Sequence, residues 1–111
     1  MIKALNRLQD KRAVNKVLQR GFKLSVTFFT VKILKIGDKP IRLTVVVGKK
    51  ISKKAVTRNK IKRRVREAFM PYLDGKRGAS IVVFPRQQAL DANFETLRSE
   101  AKQCLEKSQS F

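Results

Sequence analysis

The chain has 111 residues, 42% of them hydrophobic, and sets 27 Lys or Arg against 8 Asp or Glu for a formal net charge of +19. That length reads as one ordinary domain over residues 1–111, and the apolar fraction excludes a disordered basic tail. No run approaches the ~20 apolar residues of a membrane span, MIKALNRLQDKR does not read as a signal peptide, lone Cys104 excludes an intrachain disulfide framework or multi-cysteine zinc site, and the lack of histidine excludes Ser-His and Cys-His catalysis.

Asp10, a good N-cap, and Gly21, a good stop, predict a first helix between them. Val14, Val17 and Leu18 form its apolar stripe, and Lys11, Arg12, Lys16 and Arg20 take the remaining surface. Residues 24–36, LSVTFFTVKILKI, alternate and are rich in β-branched and aromatic side chains, which predicts a long strand. The alternation changes phase at Phe28-Phe29, predicting a bulge or strong twist. Gly37-Asp38-Lys39-Pro40 has turn chemistry, so Ile41 to Val47 is expected to pair back as the second strand of a hairpin.

A second helix is predicted from Lys53 to Tyr72, with Ile61, Val65, Ala68, Phe69 and Tyr72 as its core-facing stripe and Pro71 and Asp74-Gly75 ending it. The apolar run 79–84 reads as a strand buried on both faces. Phe94, Leu97, Ala101, Cys104 and Leu105 then make a last amphipathic helix, capped by Asp91 or Asn93. The order is α-β-β-α-β-α, and the strand–helix–strand unit between 41 and 84 implies a crossover joining parallel strands.

The charge is unevenly spread. Asp91, Glu95, Glu100 and Glu106 lie on the last helix, so the first 90 residues carry 24 bases and 4 acids. Residues 49–66 hold ten bases and no acid. On a helical wheel, Asn59, Lys60, Lys62, Arg63, Arg64 and Arg66 sweep the face away from the apolar stripe, and Arg58 sits nearer its edge, partly held by the fold. Solvated helix faces interleave Glu with Lys, but here Lys54–Arg58, Arg58–Lys62, Lys60–Arg64 and Lys62–Arg66 are like-charge pairs, each costing roughly 0.2–0.5 kcal/mol. Lys53 and Lys54 also oppose the helix dipole. Such a face calls for a polyanion; a membrane surface or an acidic protein fits less well than nucleic acid, whose phosphates release counterions when neutralised.

The residues give little support to catalysis by the chain itself. Phosphodiester hydrolysis by a protein needs a general acid/base or carboxylates holding metal ions. Asp10, Asp38, Glu67 and Asp74 form no close pair, the later acids share the last helix with Arg98, Lys102 and Lys107, and Tyr72 and Cys104 fall on core stripes. A small basic ribosomal or other RNA-structuring protein without a catalytic partner shares this charge and size. A DNA-binding transcription factor would need a helix-turn-helix or dimer surface that the chain does not offer.

Residues 55–66, AVTRNKIKRRVR, followed by Glu67-Ala68-Phe69, closely resemble the signature of the protein subunit of bacterial ribonuclease P, with Lys60 at the third position of its Arg-Asn-Arg-type motif. Asn6-Arg7-Leu8, the Arg42-to-Val47 strand leading into Lys49-Lys50, and Ile81-Val82-Val83 match in their surroundings, so the resemblance spans almost the whole chain. It implies an α+β two-layer sandwich with a small mixed sheet and a left-handed βαβ crossover, of the ribosomal protein S5 domain 2-like kind. It further implies a ribonucleoprotein enzyme that removes the 5′ leader of precursor tRNA, with the active site in the RNA and no catalytic residue in this chain. Expected partners are the ribonuclease P catalytic RNA and precursor tRNA, with no membrane and no obligate protein partner, in the cytoplasm. Mg²⁺ is expected on the RNA and substrate, with no metal site intrinsic to the protein.

The same resemblance assigns RNA binding to Lys49, Lys50, Lys53, Lys54, Arg58, Asn59, Lys60, Lys62, Arg63 and Arg66. It places the single-stranded leader in a cleft between the first helix and the sheet, at Val14, Leu18 and Lys32. Family members often carry aromatics at those positions, suited to stacking unpaired bases. Here Phe22, Phe28 or Phe29 are the aromatics that could supply the stacking instead, and Lys32 is suited to meet a phosphate.

Overall fold

Asp10 and Gly21 bound the first helix as their chemistry requires, in a computed structural model that describes residues 4–110. Helix α1 runs Lys11–Arg20, with the Asp10 side chain accepting from the backbone N–H of Arg12. Gly21 is needed there for space: a Cβ would lie 2.5 Å from the Val17 carbonyl oxygen and 3.0 Å from that of Ile33.

Strands β1 (Phe22–Ser25) and β2 (Phe29–Pro40) follow, then β3 (Arg42–Val45), helix α2 (Ala55–Phe69), β4 (Arg77–Pro85) and helix α3 (Phe94–Ser110). The phase change at Phe28-Phe29 is a chain reversal, in place of the bulge or strong twist that the alternation predicts. The strand stops at Ser25 and restarts at Phe29, and Leu24 pairs with Val31 in an antiparallel hairpin.

The expected hairpin between 24–36 and 41–47 does not form. The sheet order is β1-β2-β4-β3, so β4 lies between β2 and β3. Residues 37–40 continue β2, whose register against β4 is irregular between Lys35 and Pro40. The physical reason lies in β4: Ala79 to Val83 are all buried, and a strand apolar on both faces is most stable in the sheet interior. It pairs antiparallel with β2 and parallel with β3, Leu43 opposite Ile81, so α2 is the crossover of a parallel pair. The result is an α+β fold on a mixed four-stranded sheet.

Strand alternation divides the core. Phe29, Val31, Ile33, Leu43, Ile81 and Val83 face α2 and α3, where they meet Ile61, Val65, Phe69, Leu97 and Leu105. Val82 turns to the opposite face and packs with Val17 of α1 and with Leu8. Ile61 is fully buried, and truncating such a side chain to Ala costs roughly 2–5 kcal/mol.

Helix α2 is shorter than the predicted 53–72. It begins at Ala55, and Met70–Tyr72 form a separate 3-10 turn around Pro71, whose missing N–H ends the α-helical ladder. Asn93, rather than Asp91, caps α3 by accepting from the Glu95 N–H at 2.8 Å. Tyr72 is half-buried against the core and Cys104 is fully buried within it.

The free edge of β3 is covered by the chain's own beginning. The Leu8 N–H donates to the Leu43 carbonyl at 3.0 Å, and buried Asn6 donates through Nδ2 to the Ile41 carbonyl at 2.7 Å. Asn6-Arg7-Leu8 thereby acts as an added short edge, satisfying backbone groups that would otherwise be left open.

Candidate nucleic-acid interface

Helix α2 presents four differently employed sides. Ile61, Val65, Ala68 and Phe69 are buried in the core. On one flank Arg64 is consumed by the fold: its guanidinium donates to the carbonyls of Ala89 and Ala92 and lies 5.9 Å from the centre of the Phe94 ring. The helical wheel puts Arg64 among the outward bases, whereas the turn at 87–92, distant in sequence, draws it inward.

On the other flank Arg58 donates to the carbonyls of Ser52 and Lys53 at 3.0 and 2.9 Å. One guanidinium nitrogen, Nη1, makes both bonds and so holds the loop that leads into the helix, which supports the exposed Lys53 and Lys54 in place. Lys62, one turn along, is half-buried. Lys49 and Lys50 are exposed in the turn after β3.

The fourth side carries Asn59, Lys60, Arg63 and Arg66, at the three- and four-residue spacing of one helical face. These line a cavity of about 860 Å³ whose opposite wall is Arg7-Leu8-Gln9 and whose floor includes Leu43 and Thr44 of β3. Val56, 81% exposed, and Met70 bring apolar surface to the same groove. Glu67 is its one acid. The groove thus combines a basic wall, which suits phosphates, with apolar patches, which suit unpaired bases.

A smaller cavity of about 530 Å³ opens between α1 and β3, lined by Lys11, Val14, Asn15, Thr44 and Val46. Leu8, Gln9 and Thr44 line both cavities, so the two openings flank the same segment at the covered β3 edge, one toward α1 and one toward α2. Of the three cleft residues read from the sequence, Val14 lines this opening. Leu18 and Lys32 lie at the other end of α1, where the Lys32 ammonium donates to the Leu18 carbonyl at 2.8 Å. One of its three N–H groups is thereby spent on closing the helix, leaving two for another acceptor.

The aromatic substitutes are not in the cleft. Phe29 is fully buried, and Phe22 and Phe28 pack against the core on the α2–α3 side. The aromatic on the α1 side is Phe84, half-buried against the cluster of Leu8, Val17 and Val82, which Val14 and Leu18 also cover. Strand parity held the clue: Phe84 is two residues from Val82 and shares its face, which a reading of 79–84 as uniformly buried hid. Among the described residues, no group of three or more His, Cys, Asp or Glu is placed to hold a metal ion.

Comparison with known proteins sets this geometry in a lineage. The family model described as Ribonuclease P matches residues 2–109. The chain belongs to the ribonuclease P protein family. The ribonuclease P protein component of a Pseudanabaena species is 36% identical, the match covering 97% of this chain and 95% of that one. That of Rippkaea orientalis is 32% identical over 94% of this chain and 87% of its own. Among solved structures, the Thermotoga maritima ribonuclease P protein superposes with a TM-score of 0.77 at 34% identity, covering 91% of this chain and 96% of that one. The Staphylococcus aureus protein gives 0.76 at 28% identity, with 96% of each covered.

Membership makes the chain the protein subunit of ribonuclease P, a tRNA-processing ribonucleoprotein, and makes the ribonuclease P RNA its partner. The signature read at residues 55–69 coincides with α2 itself. Among the described residues, no helix is long and apolar enough to cross a membrane.

Proposed function

We propose that the exposed face of α2, with the lysine-rich loop before it, grips the catalytic RNA, and that the α1–sheet cleft holds the 5′ leader of precursor tRNA. The observation that carries this reading is the pair of cavities that adjoin at Leu8, Gln9 and Thr44, one walled by Lys60, Arg63 and Arg66 and the other by Lys11 and Val14. A single strand leaving the α1 cleft over this shared edge meets the cations and apolar side chains of the α2 cavity next. The protein's contribution is electrostatic and positional. It draws leader and RNA phosphates together, raises affinity for leader-bearing substrate, and eases the binding of Mg²⁺ held by RNA and substrate. The chemistry of phosphodiester cleavage belongs to the RNA, and the particle works in the cytoplasm.

Reconstitution tests the assignment. Added to a bacterial ribonuclease P RNA and a precursor tRNA at low Mg²⁺, the protein is expected to stimulate cleavage at the 5′ end of the mature sequence. No stimulation of a homologous RNA would refute it. An RNA-structuring role without a catalytic partner predicts binding of the RNA with no change in cleavage.

A further inference from the structure

We infer that Phe84 is the residue of this chain on which an unpaired leader base stacks. The inference rests on the proposed leader cleft and names the contact within it. Val14, Leu18 and Lys32 offer no aromatic surface, and the sheet supplies one from another strand. Thr30 of β2 lies directly opposite Phe84 across the antiparallel ladder. On the β3 side, the Val46 N–H donates to the Val83 carbonyl at 2.9 Å, which brings Val46 alongside Phe84 at the end of the sheet.

Val46 is 40% exposed and lines the cleft cavity with Val14, so the ring sits beside the opening rather than beneath the core. Among the described residues Phe84 is the one aromatic packed with the α1-side cluster; Phe22, Phe28, Phe29, Phe69, Tyr72 and Phe94 all pack on the other side.

The surroundings fit a nucleotide. Within the regular ladder, up to Lys35 of β2, the strand positions on the face of Phe84 include Lys23 and Lys32, paired directly across β1 and β2, and no acid. Lys11 stands at the cavity on the α1 side. A partly covered ring between cations gives a base a π-face and its flanking phosphates a counter-charge, and such a contact tolerates any base because every base has a π-face.

The test uses the reconstituted holoenzyme with precursor tRNAs whose leader carries one abasic site at successive positions. The chain has no tryptophan, so Phe84→Trp supplies a single fluorophore that is itself a stacking surface. Its emission is expected to be quenched by leader-bearing precursor, to be unaffected by mature tRNA, and to lose the quench when one leader position is abasic. Phe84→Leu is expected to weaken precursor binding about tenfold, Phe84→Trp to retain it, and the abasic position that costs wild type about tenfold to cost Phe84→Leu nothing further. If leader-bearing precursor is preferred but every abasic position costs Phe84→Leu as much as wild type, or none costs wild type anything, the assignment to Phe84 is overturned and the leader cleft stands. Equal affinity of the wild-type holoenzyme for leader-bearing and mature tRNA overturns the cleft itself, and Phe84 with it.

Discussion

Arg86 and Glu100 hold the same turn, Val26-Thr27-Phe28, from its two hydrogen-bonding sides. Glu100, only 8% exposed, accepts from the backbone N–H of Phe28 at 3.0 Å and of Thr27 at 3.3 Å. Arg86 donates to the carbonyls of Val26 and Thr27 and to the Thr30 hydroxyl. The turn therefore has its donors met by an anion and its acceptors by a cation. This fixes where β2 begins, and so which face of the sheet receives Phe29 and which receives Thr30 and Lys32.

Removing the Glu100 charge is expected to loosen this turn first. Glu100→Gln presents an amide where a carboxylate accepted two backbone donors, and stability should fall by roughly 1–3 kcal/mol. Urea unfolding measures the loss. A variant as stable as wild type would mean that Arg86 alone holds the turn.

Arg58 is expected to act on RNA through the loop it supports. Arg58→Lys keeps the charge but replaces the planar guanidinium whose Nη1 donates to the carbonyls of both Ser52 and Lys53 with a shorter ammonium arm. Amide exchange at Lys53 to Arg58 should speed up, and RNA affinity should fall several-fold despite the retained charge. Full affinity in Arg58→Lys would show that the charge alone matters.

Lys32 joins helix closure to the cleft. Lys32→Met keeps the apolar stem, and losing the bond to the Leu18 carbonyl should cost about 1 kcal/mol of stability. The holoenzyme should also lose more affinity for leader-bearing precursor than for mature tRNA. Equal losses for both would confine Lys32 to holding the end of α1.

Much of this was legible in the sequence because local chemistry decides it. Asp10 and Gly21 mark α1, the stripe Ile61, Val65, Ala68 and Phe69 marks the buried side of α2, and Phe94 opens α3. Strand partners were not legible. Proximity in sequence favoured pairing 24–36 with 41–47, whereas the burial demand of Ala79 to Val83 placed β4 between them. In the site, Asn59, Lys60, Arg63 and Arg66 could be read from spacing. Arg64 and Glu100 could not, because what they bind, the carbonyls at 89 and 92 and the amides at 27 and 28, is local to them only in the fold. Phe84 was hidden by an apolar run that masks the difference between the two sheet faces.

Cys104 should be chemically silent in the folded chain. Burial, and secondarily the Glu100 charge, push its thiol from the ordinary 9.0 up to about 12. A thiol reagent at pH 8 is expected to label it only on unfolding. Because the folded state keeps the proton that the unfolded state releases, this group's contribution to stability is intact below pH 9 and is lost as pH rises from there toward 12. The slope is on the order of 1 kcal/mol per pH unit, and Cys104→Ala should lack it. Parallel pH curves for the two proteins would contradict the shift.

The claim that the outward face of α2 is the RNA contact is tested most directly by the salt dependence of RNA binding. Lys60, Arg63 and Arg66 line the groove and contribute nothing to the core, so replacing all three with Ala should leave the fold intact. Each phosphate contact contributes roughly 0.7–0.9 to the slope of log affinity against log salt, so the triple variant should bind the ribonuclease P RNA more weakly and with a slope flatter by about two. Wild-type and variant lines of equal slope would place the RNA on another face of the protein.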